Sequence, residues 1–209
     1  MALFIVFEGG EGCGKSTQTR ALYRRLSKDG FRAVLTREPG GTRLGERARR
    51  YLKQTDKTQI SPLAELFLIA TARAQLVSEV IRPELERGKT IICDRFTPST
   101  LAYQGYGRGL DTDAIRDVND IATDGMSPDL IVLLDIPVEA GLSRKKSKER
   151  DRFESESLAF HARVRRGYLE MARADPERWL VVDGRLPRKV IEETIWKRVS
   201  VLLKRELNG

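Results

Sequence analysis

Apolar residues gather into five short runs, at 3–7, 33–35, 90–93, 130–134 and 179–182, each rich in Ile, Val or Leu. Continuous apolar runs of this length predict strands that are covered on both faces. Between them, apolar positions recur at helical spacing. They predict helices at 15–28, closed by Gly30, then 42–53, 61–87, closed by Gly88, 113–122, 138–146, 156–174 and 188–207. Ser61 and Pro62 suit an N-cap followed by Pro at the first helical position, and Gly88 suits a stop. Pro83 should kink that long helix near its end or divide off its last turn. Strand and helix alternate throughout, which predicts an α/β fold: a mostly parallel sheet with helices on both faces. Ligands of such sheets bind beyond the carboxyl ends of the strands. The segments after Phe7, Leu35, Cys93 and Leu134 therefore form the expected functional rim.

A chain of 209 residues is about one domain in size, and no repeat, low-complexity tract or linker divides it. Its apolar runs fall far short of the roughly 20 residues that a bilayer crossing needs. The first run has no basic flank and meets Glu8 at once, so neither a membrane span nor a secretory signal is expected, and the expected compartment is the cytosol. Cys13 and Cys93 are too few for a disulfide framework, and with His161 as the one histidine they offer no zinc constellation. Trp179 and Trp196 sit on apolar faces and are expected in the core, and His161 at the surface or in helix packing. Thirty-eight basic against thirty acidic residues give a net charge of +8, which favours phosphorylated partners of any size. The excess is spread through the helices, with one dense stretch at 144–152, whereas a nucleic-acid binder often gathers it on one face or tail.

Directly after the first apolar run stands Gly9-Gly10-Glu11-Gly12-Cys13-Gly14-Lys15-Ser16, followed by Thr17 at the start of a helix. The spacing G-x-x-x-x-G-K-[ST] in a strand–loop–helix setting describes a phosphate-binding loop. Its glycines let the backbone wrap a phosphate, its N–H groups and the helix N-terminus donate to it, and Lys15 adds a point charge at the β/γ-phosphates. Ser16 is then placed to ligate Mg²⁺. Glu11 would repel a phosphate inside that cradle, so its side chain is expected to point out of the loop, toward solvent or a sugar hydroxyl. Cys13 is read as a small loop residue. At the tip of the third run, Asp94 is the natural partner for the same metal ion, and Arg95 offers a bidentate fork to a second phosphate. No Asn-Lys-x-Asp base-reading motif occurs, which disfavours GTPases. Arg37-Glu38-Pro39-Gly40-Gly41-Thr42 makes a compact turn in which Pro39 is a candidate for a cis bond.

Five segments together resemble the bacterial thymidylate kinases, nucleoside monophosphate kinases of the P-loop class. They are Phe7 to Ser16, Thr36 to Thr42, Arg73-Ala74-Gln75, Asp94-Arg95 with Ser99-Thr100-Leu101-Ala102-Tyr103-Gln104-Gly105, and Asp151-Arg152-Phe153-Glu154. The resemblance implies a five-stranded parallel sheet, a homodimer and a mobile lid at about 143–153. It implies transfer of a phosphoryl group from ATP to dTMP, with Lys15 and Ser16 serving ATP and Mg²⁺ and Glu11 the dTMP sugar. Arg95 and Arg37 would hold the acceptor phosphate. Arg73, Ser99, Thr100 and Gln104 would surround the thymine, and Tyr103 would close the space of a ribose 2′-hydroxyl. Members of the family carry a catalytic Arg either in the phosphate loop or in the lid. Here Gly12 and Cys13 occupy the loop positions, so the charge is expected from the six basic residues at 144–152, with Arg144, Arg150 and Arg152 favoured for their planar forks. Most members also stack a Phe on thymine one turn before Arg73, where this chain has Ile69, and Phe67 should face elsewhere. The rival readings are another P-loop nucleotide or nucleoside kinase, and a nucleic-acid-dependent ATPase suggested by the charge.

Overall fold

The computed structural model describes residues 2–54, 59–144 and 151–208. Its sheet contains β1 (Phe4–Glu8), β2 (Ala33–Arg37), β3 (Thr90–Asp94), β4 (Leu130–Asp135) and β5 (Trp179–Asp183), all parallel in the order β2-β3-β1-β4-β5. The expected five strands are all present, each within a residue or so of its apolar run. Because side chains alternate across a strand, Ile5 and Phe7 enter one half of the core and Phe4 and Val6 the other. The first half is closed by α1 (Lys15–Lys28) through Leu22 and Leu26 and by α9 (Arg188–Asn208) through Ile191, Ile195 and Val199. The second is closed by α3 (Pro62–Leu76) and the turns that follow it, through Leu76, Val77 and Ile81. Chain order reverses at β1, which leaves a crevice at the carboxyl ends of β3, β1 and β4.

The helix expected at 61–87 is divided in the way its proline requires. α3 runs into a π-helical segment at Val77–Ile81 and then α4 (Arg82–Glu86). Pro83 has no N–H, and its ring would crowd the carbonyl four residues earlier in a regular helix. In the widened turn the Arg82 N–H reaches Val77 O instead. A second departure was silent in the periodicity: 97–107 is helical, with α5 (Thr97–Thr100) continuing as a π segment at Leu101–Gly107. Polar residues turned toward a site replace the apolar stripe there.

The remaining helices match their patterns: α2 (Arg43–Lys53), capped by Thr42, α6 (Thr112–Thr123), capped by Asp111, and α8 (Leu158–Ala174), capped by Ser157. The helix expected at 138–146 is seen as α7 (Val138–Ser143), and 145–150 lies outside the described residues. α8 packs through Phe160, Val164 and Tyr168 on Ile131, Leu133 and Trp179, while Trp196 is half-buried under the Arg25 guanidinium. His161 is buried, edge-on to Phe160, in helix packing rather than at the surface.

Candidate functional site

Beyond β1 the chain turns through Gly9 to Gly14 into α1. Gly12 has φ +67°, and a Cβ on it would overlap the Gly141 carbonyl, so the loop can lie against α7 only with glycine there. Lys15, nearly buried, donates from Nζ to Gly9 O at 2.9 Å and Gly10 O at 2.8 Å. Cys13 turns into the core beside Ile136 and Val182. The β1–β3 register pairs Phe7 with Asp94, which carries Asp94 to the loop's flank. Ser16 Oγ donates to Asp94 Oδ2 at 2.7 Å.

Arg95 follows at φ +76°, a left-handed backbone unusual for a side chain of this size, and is pinned on several sides. Its guanidinium donates to Glu11 Oε1 at 2.8 Å, Tyr103 Oη at 3.0 Å, Tyr168 Oη at 3.1 Å and Ser99 Oγ at 3.2 Å. Glu11 thus points out of the phosphate cradle, as expected, and also accepts from Tyr103 Oη at 2.8 Å. Behind them Glu8, wholly buried, accepts from the Phe96 N–H, Ser99 Oγ and Tyr168 Oη. Burial pushes its carboxyl up, against the pull of Arg95 and these donors.

One continuous cavity of about 430 Å³ runs from the loop, where Glu11, Gly12, Cys13, Gly14, Lys15, Ser16 and Thr17 line it, to Ile69, Arg73, Thr100 and Gln104. Arg37, Arg49 and Arg95 converge on it. Arg37 is exposed and paired with Glu46 at 2.9 Å, whereas Arg49 donates to Pro39 O at 2.9 Å. Burial, and next the charge of Arg37, lower the Arg49 pKa. The Glu38–Pro39 peptide is cis, as its turn suggested. At the far end, Glu38 Oε2 accepts from Arg73 Nε at 2.8 Å and Nη2 at 2.6 Å, and Arg73 Nη1 donates to Asn119 Oδ1 at 2.6 Å. Burial pushes the Glu38 carboxyl up to about 7, against Arg73, with Glu8 adding to the rise.

A family model described as thymidylate kinase matches residues 7–195. The chain belongs to the thymidylate kinase family. It is 52% identical to a thymidylate kinase of Dehalococcoides mccartyi over 204 residues, covering 98% of this chain and 99% of that one. A thymidylate kinase of Geotalea uraniireducens is 49% identical over 216 residues and the whole of both chains. The crystal structure of thymidylate kinase from Ehrlichia chaffeensis superposes with a TM-score of 0.78 at 33% identity, over 95% of this chain and 98% of that one.

Within this thymidylate kinase fold most residues singled out in the sequence meet at one cavity; Gly9 and Gly10 do not line it, and their carbonyls hold Lys15, which does. Ile69 lines the wall and Phe67 is exposed, as helical spacing required. The lid arginines part company. Arg144 lines the loop end and donates to Gly184 O at 3.1 Å, Arg152 pairs with Glu65 on α3, and Arg150 lies outside the described residues. Sequence reasoning missed Arg49, Asn119, Glu65 and Tyr168. Arg49 sits in an ordinary polar helix face, which gives no local signal, whereas Asn119 lies one turn from Ile115 on the buried face of α6. Glu65 had a signal: a carboxylate at the buried face of an apolar helix, two turns before Arg73.

Proposed function

We propose that dTMP fills the cavity, with ATP on the phosphate loop and the two phosphates meeting between Lys15 and Arg95. The reaction is ATP-dependent phosphorylation of dTMP to dTDP, the activity of the thymidylate kinase family. Arg95, Arg37 and Arg49 take the dTMP phosphate, Glu11 and Tyr103 the sugar, and Ile69, Arg73, Ser99, Thr100 and Gln104 the base. An oxygen of the dTMP phosphate attacks the γ-phosphorus of ATP as the bond to the β–γ bridging oxygen breaks, leaving ADP. Near neutral pH the acceptor phosphate is already largely a dianion, so no base is needed and the protein's work is alignment and charge neutralisation. Lys15 leaves its loop carbonyls for the γ-phosphate, and Arg144, beside the loop, supplies the cation that Gly12 and Cys13 lack.

Mg²⁺ fits the donor set: it takes one or two protein oxygens and completes its shell with phosphate and water, and Ser16 Oγ and Asp94 Oδ2 lie together beside the loop. When bound there it neutralises charge on the ATP phosphates. We further propose a single domain with a lid at about 143–153, of which 145–150 lie outside the described residues; in support, Arg144, Asp151 and Phe153 on either side line the cavity. The enzyme works in the cytosol, in keeping with two buried free thiols, and without nucleic acid. Among the described residues, no helix is long and apolar enough to cross a membrane. A second copy covers α3, which shows Leu63 and Phe67 to solvent although it is apolar on both sides, next to exposed Tyr51 on α2.

The observation that carries this reading is the continuity of the phosphate loop with the arginine-lined cavity. ADP release over a panel of nucleoside monophosphates, with and without DNA, tests it. Turnover should depend on dTMP and ignore DNA. Preference for a purine monophosphate, or hydrolysis driven by DNA, overturns it. The base wall gives a second expectation. Ile69→Phe should tighten dTMP binding several-fold in calorimetric titration, because a ring adds a stacking contribution of about 0.5–1.5 kcal/mol. Weaker binding by a folded variant would mean that the wall is shaped around Ile69.

A further inference from the structure

Glu65, Ile69 and Arg73 stand at successive i, i+4 positions of α3 and so form one stripe at the base end of the cavity. Ile69 and Arg73 line the cavity itself, whereas Glu65, 1% exposed, lies behind Gln104. A carboxylate at such a depth needs donors, and Glu65 has three. Gln104 Nε2 donates to Oε1 at 2.6 Å, Arg108 donates through Nε at 3.3 Å, and Arg152 pairs with Oε2. Arg108 also pairs with Glu156, and its guanidinium lies over the Phe160 ring at 4.9 Å. Two guanidinium groups and an amide thus donate to the Glu65 carboxylate, whose oxygens accept.

That has a chemical consequence for Gln104. A side-chain amide has a donor end and an acceptor end, and its two orientations are nearly isosteric. Facing a carboxylate that takes only donors, the amide turns its NH₂ end to Glu65. The bond to Glu65 is the one that the Gln104 side chain makes among the described residues, and Gln104 borders the cavity. Its oxygen is thereby committed as an acceptor toward the ligand. Arg73, anchored by Glu38 and Asn119, can only donate. A donor beside an acceptor matches thymine, whose O4 accepts and whose N3–H donates. Cytosine presents the reverse, an amino donor at C4 beside an acceptor N3.

We propose that Glu65 is a positioning residue for base selection: by fixing the polarity of the Gln104 amide, it makes the pocket accept N3–H and refuse a cytosine ring. The proposal rests on the reading of Gln104 as a base contact. Arg152 takes part indirectly, through its ion pair with Glu65.

The test is the ratio of kcat/KM for dTMP to that for dCMP. In Glu65→Gln the new amide can donate as well as accept, Gln104 is free to turn over, and the ratio should fall about tenfold or more. The change should enter through the KM for dTMP more than through kcat, because Glu65 touches no reacting atom. Arg108→Ala, which removes a partner of Glu65 and leaves the bond to Gln104, should keep the ratio within about twofold. Gln104→Ala controls for the underlying reading. An unchanged ratio in folded Glu65→Gln, where Gln104→Ala does lower it, overturns the proposal and leaves the base contact standing. An unchanged ratio in Gln104→Ala removes that contact and the proposal with it. A crystal structure of the unaltered protein with dTMP decides the same point without a variant. Gln104 Nε2 should stay on Glu65 with Oε1 about 3 Å from N3, and a side chain swung off Glu65 onto the base overturns the proposal.

Discussion

Lys15→Met is expected to fold normally and to lose about a hundredfold or more of its turnover. The ammonium is nearly buried and, without ATP, is held by the carbonyls of Gly9 and Gly10 at the mouth of the loop. It is therefore preorganised close to where the γ-phosphoryl must lie. Methionine keeps the aliphatic stem and removes the charge, so the loop and α1 should stand while negative charge on the transferring group goes unopposed. ADP release, read beside a thermal melt, checks this. Near-normal turnover in a folded variant would end the assignment of the loop as the ATP site.

The second large effect falls on stability. Arg73→Met leaves Glu38 as a buried carboxylate without its cation, which should cost about 3–5 kcal/mol at alkaline pH. The pH dependence follows from Glu38, whose carboxyl is held at about 7 even beside Arg73, and which must rise further without it. A carboxyl raised in the folded state contributes stability that is fully present below its unfolded value and lost as pH rises through the folded one. The variant's deficit should thus shrink between about pH 8 and about pH 5.5, as Glu38 takes up a proton. Arg73→Met/Glu38→Gln should recover most of the loss at high pH. Binding of dTMP should stay weak in both, because the base end of the cavity has lost its fixed donor. Denaturant unfolding at the two pH values decides the matter: equal deficits would mean that Glu38 is not the source.

The parts of this molecule that sequence announces are those built on repetition or on spacing. Continuous apolar runs marked all five strands, yet only the central β1, β3 and β4 are covered on both faces as those runs predicted. The edge strands β2 and β5 expose Leu35 and Val181, because each has a neighbouring strand on one side only. The loop from Gly9 to Ser16 was legible because phosphate binding needs glycine and lysine at fixed intervals. The helix at 97–107 was not legible. Its π turns break the 3.6-residue period, and its inner face holds Ser99, Thr100, Tyr103 and Gln104 in place of an apolar stripe. Arg49 was hidden for another reason: a polar residue on a helix looks the same in sequence whether it faces solvent or a cavity. Arg152 shows the limit of counting charge. The basic stretch pointed to phosphate, yet the structure sets this guanidinium on Glu65 and against the Phe153 ring.

The parallel register of β1 and β3 also acts as a gauge. Phe7 lies opposite Asp94, and the Arg95 N–H reaches Phe7 O at 3.0 Å, so the phosphate loop and the Asp94-Arg95 pair leave neighbouring strand tips. Adjacent strands stand about 4.8 Å apart whatever their side chains. With the two substrates placed as proposed, the separation of donor and acceptor phosphates is set by the backbone hydrogen-bond lattice of the sheet. A slip of one residue would not lengthen that span by a little. It would turn Asp94 to the opposite face and bring Cys93 or Arg95 to the flank of the loop. Spacing in this enzyme is quantised, and the surrounding arginines are left only the finer work of aim.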